Sequence, residues 1–195
     1  MCRRLLCYGD SNTYGYDPRS YLGGRYPESI RWTALLSAEG WKVTNKGENG
    51  RSIPKLDQEI KMAVQSVCGV EADILTVMLG SNDLLQCLGL SAEICGERME
   101  KFLTALLAKA KADLKIILVA PPPMEAGAWV SDHRTLLESR RLAGCYEVVA
   151  HQLGIAFADC GAWGVGLSYD GVHFTAEGHM AFAKGIRIAL DALLR

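Results

Sequence analysis

Five short apolar runs recur along the chain, at residues 4–8, 41–44, 73–79, 115–120 and 155–159. Each holds four to seven residues rich in Val, Ile, Leu, Ala or Cys, the pattern of strands buried on both faces of a parallel sheet. Between or after them, residues 31–39, 54–67, 97–112, 136–153 and 176–194 place apolar side chains three and four apart, as in Leu56, Ile60, Ala63, Val64 and Val67. That spacing predicts amphipathic helices. Strict alternation of strand and helix predicts an α/β fold with right-handed crossovers and helices on both faces of the sheet. We expect a flavodoxin-like five-stranded parallel sheet in the order 2-1-3-4-5. Residues 13–29 and 121–132 carry Gly, Pro and aromatic residues without periodicity, and are expected to be long loops at the mouth of a site.

Composition narrows the picture. No linker, repeat or low-complexity segment divides the 195 residues, which predicts one domain over 1–195. An apolar fraction of 49% with 22% charged residues is enough to form a core. Lys and Arg number 21 against 22 Asp and Glu, and the densest basic runs are only Arg3-Arg4 and Arg140-Arg141, so no nucleic-acid partner is expected. No apolar stretch reaches the roughly 18 residues of a membrane span, and residues 1–10 lack the long apolar region and cleavage site of a secretory leader. A cytoplasmic protein without a membrane partner is expected. The seven cysteines are odd in number and never spaced Cys-x-x-Cys, which favours reduced, mostly buried thiols over a disulfide framework or a zinc site. The apolar content leaves room for a homo-oligomer interface, which periodicity does not separate from core.

In an open parallel sheet, ligands bind beyond the carboxyl ends of the strands, where the strand order reverses. Polar residues concentrate at those places. Gly9-Asp10-Ser11-Asn12-Thr13-Tyr14-Gly15 follows the first strand, and a serine there either presents its hydroxyl to the crevice or simply caps a helix. Gly80-Ser81-Asn82-Asp83 follows the third strand and brings an amide donor, Asn82, to the same edge, unless it only satisfies its own loop. Asn45-Lys46-Gly47-Glu48-Asn49-Gly50 is a glycine-rich turn whose backbone N–H groups leave no side-chain signal. Asp170-Gly171-Val172-His173 sets a carboxylate three residues before an imidazole; in a tight turn it can reach Nδ1, fix the tautomer and leave Nε2 free to accept a proton.

Taken together, Gly9-Asp10-Ser11, Gly50, Gly80-x-Asn82-Asp83 and Asp170-x-x-His173 resemble the four ordered sequence blocks of the SGNH (GDSL-type) hydrolases, from residue 4 to residue 175. Arg31-Trp32-Thr33, Met78-Leu79-Gly80, Pro121-Pro122-Pro123 and Gly171-x-His173-Phe174-Thr175 are similar to the bacterial arylesterase and acyltransferase branch. The resemblance implies a three-layer α/β/α fold and two-step ester hydrolysis. Ser11 would be the nucleophile, His173 the base and then acid, and Asp170 the group that orients His173. The N–H groups of Ser11 and Gly50 with the Asn82 amide would form the oxyanion hole. Asp10 and Asp83 are expected to support the site rather than react. Asn12 stands where the common form has leucine, which makes it a candidate wall of the acyl pocket. Neither metal nor organic cofactor is expected.

Tyr14, Tyr16, Tyr21, Tyr26, Met124, Trp129 and Val130 on the two long loops are candidate pocket walls, with Tyr14 and Trp129 foremost. Such aromatics suit small acyl or aryl esters, and equally sugar rings, so carbohydrate acetylesterase, lysophospholipase and thioesterase chemistry remain alternatives on the same triad. His133 is another candidate at the mouth, while His151 and His179 fall inside helical patterns. A flavodoxin-like module that cradles phosphate or a nucleotide is the rival outside enzymology. It gives no role to Asp170-x-x-His173, and neither Gly-x-Gly-x-x-Gly nor a Gly-Lys-Ser/Thr loop occurs at Gly9–Gly15. A degenerate esterase that only binds acylated ligands would need a missing motif position, and none is missing.

Overall fold

The computed structural model describes residues 3–195, so Cys2 lies outside the described residues. Strands β1 (Arg4–Gly9), β2 (Lys42–Gly47), β3 (Ile74–Met78), β4 (Lys115–Ala120) and β5 (Ala156–Asp159) pair in parallel in the order β2-β1-β3-β4-β5. The expected α/β architecture and strand order are those observed. The helices are α1 (Ser11–Tyr14), α2 (Trp32–Ala38), α3 (Asp57–Cys68), α4 (Ser81–Gln86), α5 (Ala92–Leu107), α6 (His133–Leu153) and α7 (Ala176–Leu193).

The pleat splits the apolar residues between two layers. Leu5 and Cys7 of β1, Ile74 and Met78 of β3, and Ile117 and Val119 of β4 pack with Trp32 and Leu36 of α2 and with Phe182, Ile186 and Leu190 of α7. Leu6, Tyr8, Leu75, Val77, Ile116 and Leu118 point the other way, onto Ile60 and Val64 of α3, Phe102 and Leu106 of α5 and Tyr146 of α6. Because helices cover both faces, the central strands are apolar at nearly every position rather than at alternate ones.

Several boundaries differ from the sequence-based expectation. β2 continues through Gly47, because its polar residues still pair with β1 (Cys7 with Asn45, Tyr8 with Lys46) while lying at the sheet edge. α5 starts at Ala92 rather than 97, where the Ser91 side chain accepts the N–H of Ile94, and it ends at Leu107, leaving 108–112 as a turn. α3 starts at Asp57, after Pro54; the Glu59 carboxylate accepts the N–H groups of Lys55 and Leu56 at 2.9 and 3.0 Å. α6 starts at His133, three residues earlier than its apolar spacing shows, because Asp132 accepts the N–H of Thr135. α4 has too few apolar residues to show a period.

The expectation of mostly buried thiols is corrected in part: Cys7, Cys95 and Cys160 are buried, Cys145 is half-buried, and Cys68 and Cys87, at the ends of α3 and α4, are exposed. Among the described residues, no helix is long and apolar enough to cross a membrane. β1 has β2 on one side and β3 on the other, so the crevice beyond their carboxyl ends is where the polar segments meet.

Candidate active site

β1 delivers the chain to Gly9 with almost no room around it; a Cβ there would lie 2.1 Å from Thr13 Oγ1 and 2.9 Å from the Met78 carbonyl oxygen. Asp10 then caps the four-residue helix α1, accepting the N–H of Asn12 at 3.0 Å. Ser11, the first residue of α1, is 6% exposed, and its Oγ faces the loop that precedes α7.

That loop is shaped by Asp170. One carboxylate oxygen accepts the backbone N–H groups of Val172 and His173 at 2.9 and 3.0 Å, and the other accepts Nδ1–H of His173 at 2.7 Å. The carboxylate fixes the proton on Nδ1, so Nε2 is the acceptor facing Ser11 Oγ, 3.0 Å away. Burial works to raise the Asp170 pKa, but the hydrogen bonds from the His173 ring and from the two backbone groups outweigh it and hold the carboxyl below its usual range. Gly171 makes the turn with φ of +80°. The geometry is that of a serine hydroxyl, an imidazole and a carboxylate in one hydrogen-bonded line.

The other side of the crevice offers donors. Gly50, at φ of +76°, and Asn82, second residue of α4, line a cavity of about 410 Å³ together with Ser11 and His173. Asn82 Nδ2 gives one hydrogen to the Arg51 carbonyl at 3.1 Å, which fixes the amide and leaves its second hydrogen for a ligand. Among the described residues, no backbone acceptor takes the N–H of Ser11 or of Gly50. Ser11, Gly50 and Asn82 thus line one cavity with His173.

Asp10 and Asp83 are both buried and hydrogen-bonded to backbone N–H groups. Asp10 is 1% exposed, and burial pushes its carboxyl up to about 6. Asp83 accepts the N–H of Ile53 at 2.8 Å and Nη1 of Arg98 at 2.9 Å; burial raises its carboxyl against the lowering effect of those partners.

Among the candidate pocket walls, Trp129 lies at the cavity, its ring centroid 4.9 Å from that of His173 and nearly perpendicular to it. Tyr16 covers the imidazole from another side at 4.6 Å, and Leu85, Asn49 and Gln86 complete the lining. Asn12 and Tyr14 require correction. Asn12 is 3% exposed and turned away from the cavity, its side chain hydrogen-bonded to the backbone of Val172 and Phe174. Tyr14 is covered by the Arg25 guanidinium, 4.3 Å above its ring, and does not line the cavity. Met124 and Val130 belong to the core, Tyr21 is fully exposed at a loop tip, Tyr26 packs on His179, and His133 and His151 are exposed on α6.

Arg51 and Gln86 escape sequence reasoning. Arg51 Nη1 donates to the carbonyls of Gly9 (2.9 Å) and Lys46, gathering the ends of β1 and β2, and its guanidinium stacks 4.3 Å over the Tyr8 ring. Gln86 Nε2 donates to the Gly50 carbonyl at 3.1 Å. Both act on backbone carbonyls, which carry no residue-type pattern; adjacency of Arg51 to Gly50 is the only signal in the sequence.

The model of the GDSL-like lipase/acylhydrolase family matches residues 7–181. No curated protein sequence matches the chain. Among solved structures, a carbohydrate acetylesterase family member from Sinorhizobium meliloti is 27% identical, with a TM-score of 0.85 over 98% of this chain and 99% of that one. The inhibitor-bound aryl esterase of M. smegmatis shares the fold at 21% identity, with a TM-score of 0.86 over 98% of this chain and 100% of that one. A member of the lipolytic G-D-S-L family from Veillonella parvula shares it at 21% identity and a TM-score of 0.74, with both chains covered in full.

Proposed function

Because the chain belongs to the GDSL-like lipase/acylhydrolase family and is an ester hydrolase of that family, we propose that Ser11, His173 and Asp170 are its catalytic triad and that its substrates are small acyl or aryl esters. The observation that carries this reading is the continuous line from Ser11 Oγ through the His173 ring to Asp170, at 3.0 and 2.7 Å, in a crevice that also holds Gly50 and Asn82.

In the first half-reaction, Ser11 Oγ attacks the ester carbonyl as His173 Nε2 takes its proton. The carbonyl oxygen becomes an alkoxide held by the N–H groups of Ser11 and Gly50 and by the Asn82 amide. The C–O bond to the alcohol breaks, and the proton on Nε2 leaves with it. In the second half, water gives a proton to Nε2 and attacks the acyl-enzyme, and collapse returns the proton to Ser11. Asp170 stays ionised and stabilises the imidazolium in both halves. No step calls for a metal or an organic cofactor.

A cavity of about 410 Å³ with Trp129, Tyr16 and Leu85 on its walls suits a short acyl group and a flat alcohol, aryl or sugar ring. An acetylated carbohydrate is therefore the second reading, and the S. meliloti relative favours it. Acyl transfer to an alcohol competes with hydrolysis to the degree that Trp129 and Tyr16 keep water from the acyl-enzyme. Further parts of the proposal are a cytoplasmic location, a single hydrolase domain over residues 1–195 and a homo-oligomer. The one continuous sheet between two core layers supports the domain reading.

The test is labelling with a fluorophosphonate, with peptide mass spectrometry and a series of p-nitrophenyl esters from acetate to decanoate. We expect one adduct, on Ser11, loss of activity with it, and turnover that falls beyond butyrate. No adduct on a folded protein would overturn the triad, and a preference for decanoate would overturn the substrate class.

A further inference from the structure

We propose that Asn12 is a positioning residue for His173, a clasp that sets the imidazole against the neighbouring nucleophile. The inference rests on His173 being the base.

The Asn12 amide grips the backbone on both sides of His173. Its Nδ2 donates to the Val172 carbonyl at 3.1 Å, and its Oδ1 accepts the N–H of Phe174 at 2.9 Å. An amide is the side chain of this size that offers one donor and one acceptor on the same carbon, and here both are used by residues 172 and 174. The same residue is anchored at its own backbone, where the Asn12 carbonyl accepts Nε1–H of Trp32 at 3.0 Å. Trp32 is 1% exposed and belongs to the core between α2 and α7. Asn12 follows Ser11 directly, so the nucleophile and the clasp move as one short helical turn.

The consequence is geometric. Asp170 fixes the tautomer and the tilt of the ring, but it belongs to the same loop as His173 and shifts with it. Asn12 ties the backbone of this loop directly to the Ser11 turn across the crevice. Without it, the direct link between the two segments would be the 3.0 Å contact between Ser11 Oγ and His173 Nε2 itself, with Tyr16 and Trp129 packed on the ring, the Tyr169 hydroxyl on the Pro18 carbonyl and the buried Phe174 ring holding the loop from farther away. All three Asn12 bonds are buried, so water does not weaken them. A leucine, the residue of the common GDSL form, would fill the space and make neither bond to the loop.

The test compares Asn12→Leu and Asn12→Asp with the natural protein. Asn12→Leu removes both bonds; Asn12→Asp keeps an acceptor for Phe174 and loses the donor to Val172. Turnover of p-nitrophenyl acetate gives kcat and KM, circular dichroism and melting give the folded fraction, and proton NMR follows the downfield Nδ1–H of His173. We expect kcat per folded molecule to fall about 10²-fold in Asn12→Leu, the scale of a misplacement near 1 Å, with KM within about twofold. Asn12→Asp should fall between, and the Nδ1–H signal should broaden or shift in both. A lower melting temperature with natural kcat and an unchanged Nδ1–H signal would make Asn12 merely structural and overturn the proposal. If Asn12→Leu does not fold, Asn12→Asp decides by the same two readings. Failure of Ser11 to label in the natural protein would defeat the hydrolase triad instead, and the Nδ1–H signal still tests the clasp on its own.

Discussion

The carboxylate of Asp83 accepts the backbone N–H of Ile53 at 2.8 Å, and so joins the start of α4, which carries Asn82, to the loop that carries Gly50. The two proposed oxyanion donors, from different crossovers, are thereby held in one frame. Arg98 neutralises the buried carboxylate at 2.9 Å, and its own side chain is 23% exposed. Arg98→Met should destabilise the protein toward the lower end of the roughly 3–5 kcal/mol that follows from leaving a buried charge unpaired. Urea unfolding measures it, and a change within about 0.5 kcal/mol, the scatter of ordinary surface substitutions, would show the pair to be dispensable.

Ser11→Ala and His173→Ala should each remove ester turnover down to the residue left by the oxyanion donors, while the melting temperature moves little. Asp170→Asn should lose about 10⁴-fold in kcat, because an amide facing Nδ1 favours the wrong tautomer. Steady-state kinetics on p-nitrophenyl acetate check all three, and natural turnover in any of them refutes its assigned role.

Asn82→Ala should lower kcat by about 10²–10³ and leave KM nearly unchanged, since its free hydrogen matters most when the carbonyl oxygen carries charge. A rise in KM at constant kcat would assign Asn82 to ground-state binding instead.

Gly171→Ala meets two obstacles. The residue sits at φ of +80°, and its new Cβ would stand 2.0 Å from the Glu125 carbonyl oxygen. The segment containing Trp129 is stitched to this turn, with Glu125 N–H on the Gly171 carbonyl at 3.0 Å and Trp129 N–H on the Asp170 carbonyl at 3.1 Å. The substitution should therefore displace Asp170, His173 and Trp129 together and cost more activity than stability. Parallel kinetics and thermal melts test this; equal losses would point to global unfolding.

His179 is buried against Tyr26 and Phe174, and neither ring nitrogen has a partner among the described residues. Burial, helped by the charge of Arg31, lowers its pKa from 6.5 to about 4. Between those values the unfolded chain binds a proton that the folded protein refuses, so this residue makes stability fall as the medium is acidified from 6.5 towards 4. Asp10, raised to about 6, works in the opposite sense over an overlapping range, because there the folded protein takes the proton first. His179→Phe should remove only the first effect, changing the slope of unfolding free energy by at most one proton, about 1.4 kcal/mol per pH unit. Urea unfolding of both proteins at several pH values isolates the slope from any constant packing difference, and parallel curves would show that His179 does not titrate as stated.

The central strands were legible because β1, β3 and β4 are buried on both faces and cannot avoid apolar residues. The edge strand β2 was only half legible: Asn45 and Lys46 complete it through backbone pairing that any residue can make. The first turns of α5 bury only the small residues Ala92, Cys95 and Gly96, a weak apolar signal, and the start is marked instead by the Ser91 cap. In the site, the side chains proposed to react stand out because nucleophile, base and carboxylate must be particular residue types. Asn12, Arg51 and Gln86 do not, because each works by holding backbone oxygens or N–H groups, and backbone has no letter in the sequence. Asn12, expected as a pocket wall, turns instead to Val172 and Phe174, since adjacency to Ser11 says nothing about which way a side chain points.

Ser11 and His173 meet although they stand 162 positions apart in chain order. A ribosome that has finished β5 has already supplied the hydroxyl, Gly50 and Asn82, yet neither His173 nor Asp170. Bringing the two ends together closes a long loop, a slow event compared with forming helices or adjacent strand pairs. Ester turnover in a refolding experiment should therefore return with the last kinetic phase, after the far-ultraviolet signal of the helices has recovered, so that the appearance of activity times the docking of the segment after β5 onto the turn after β1.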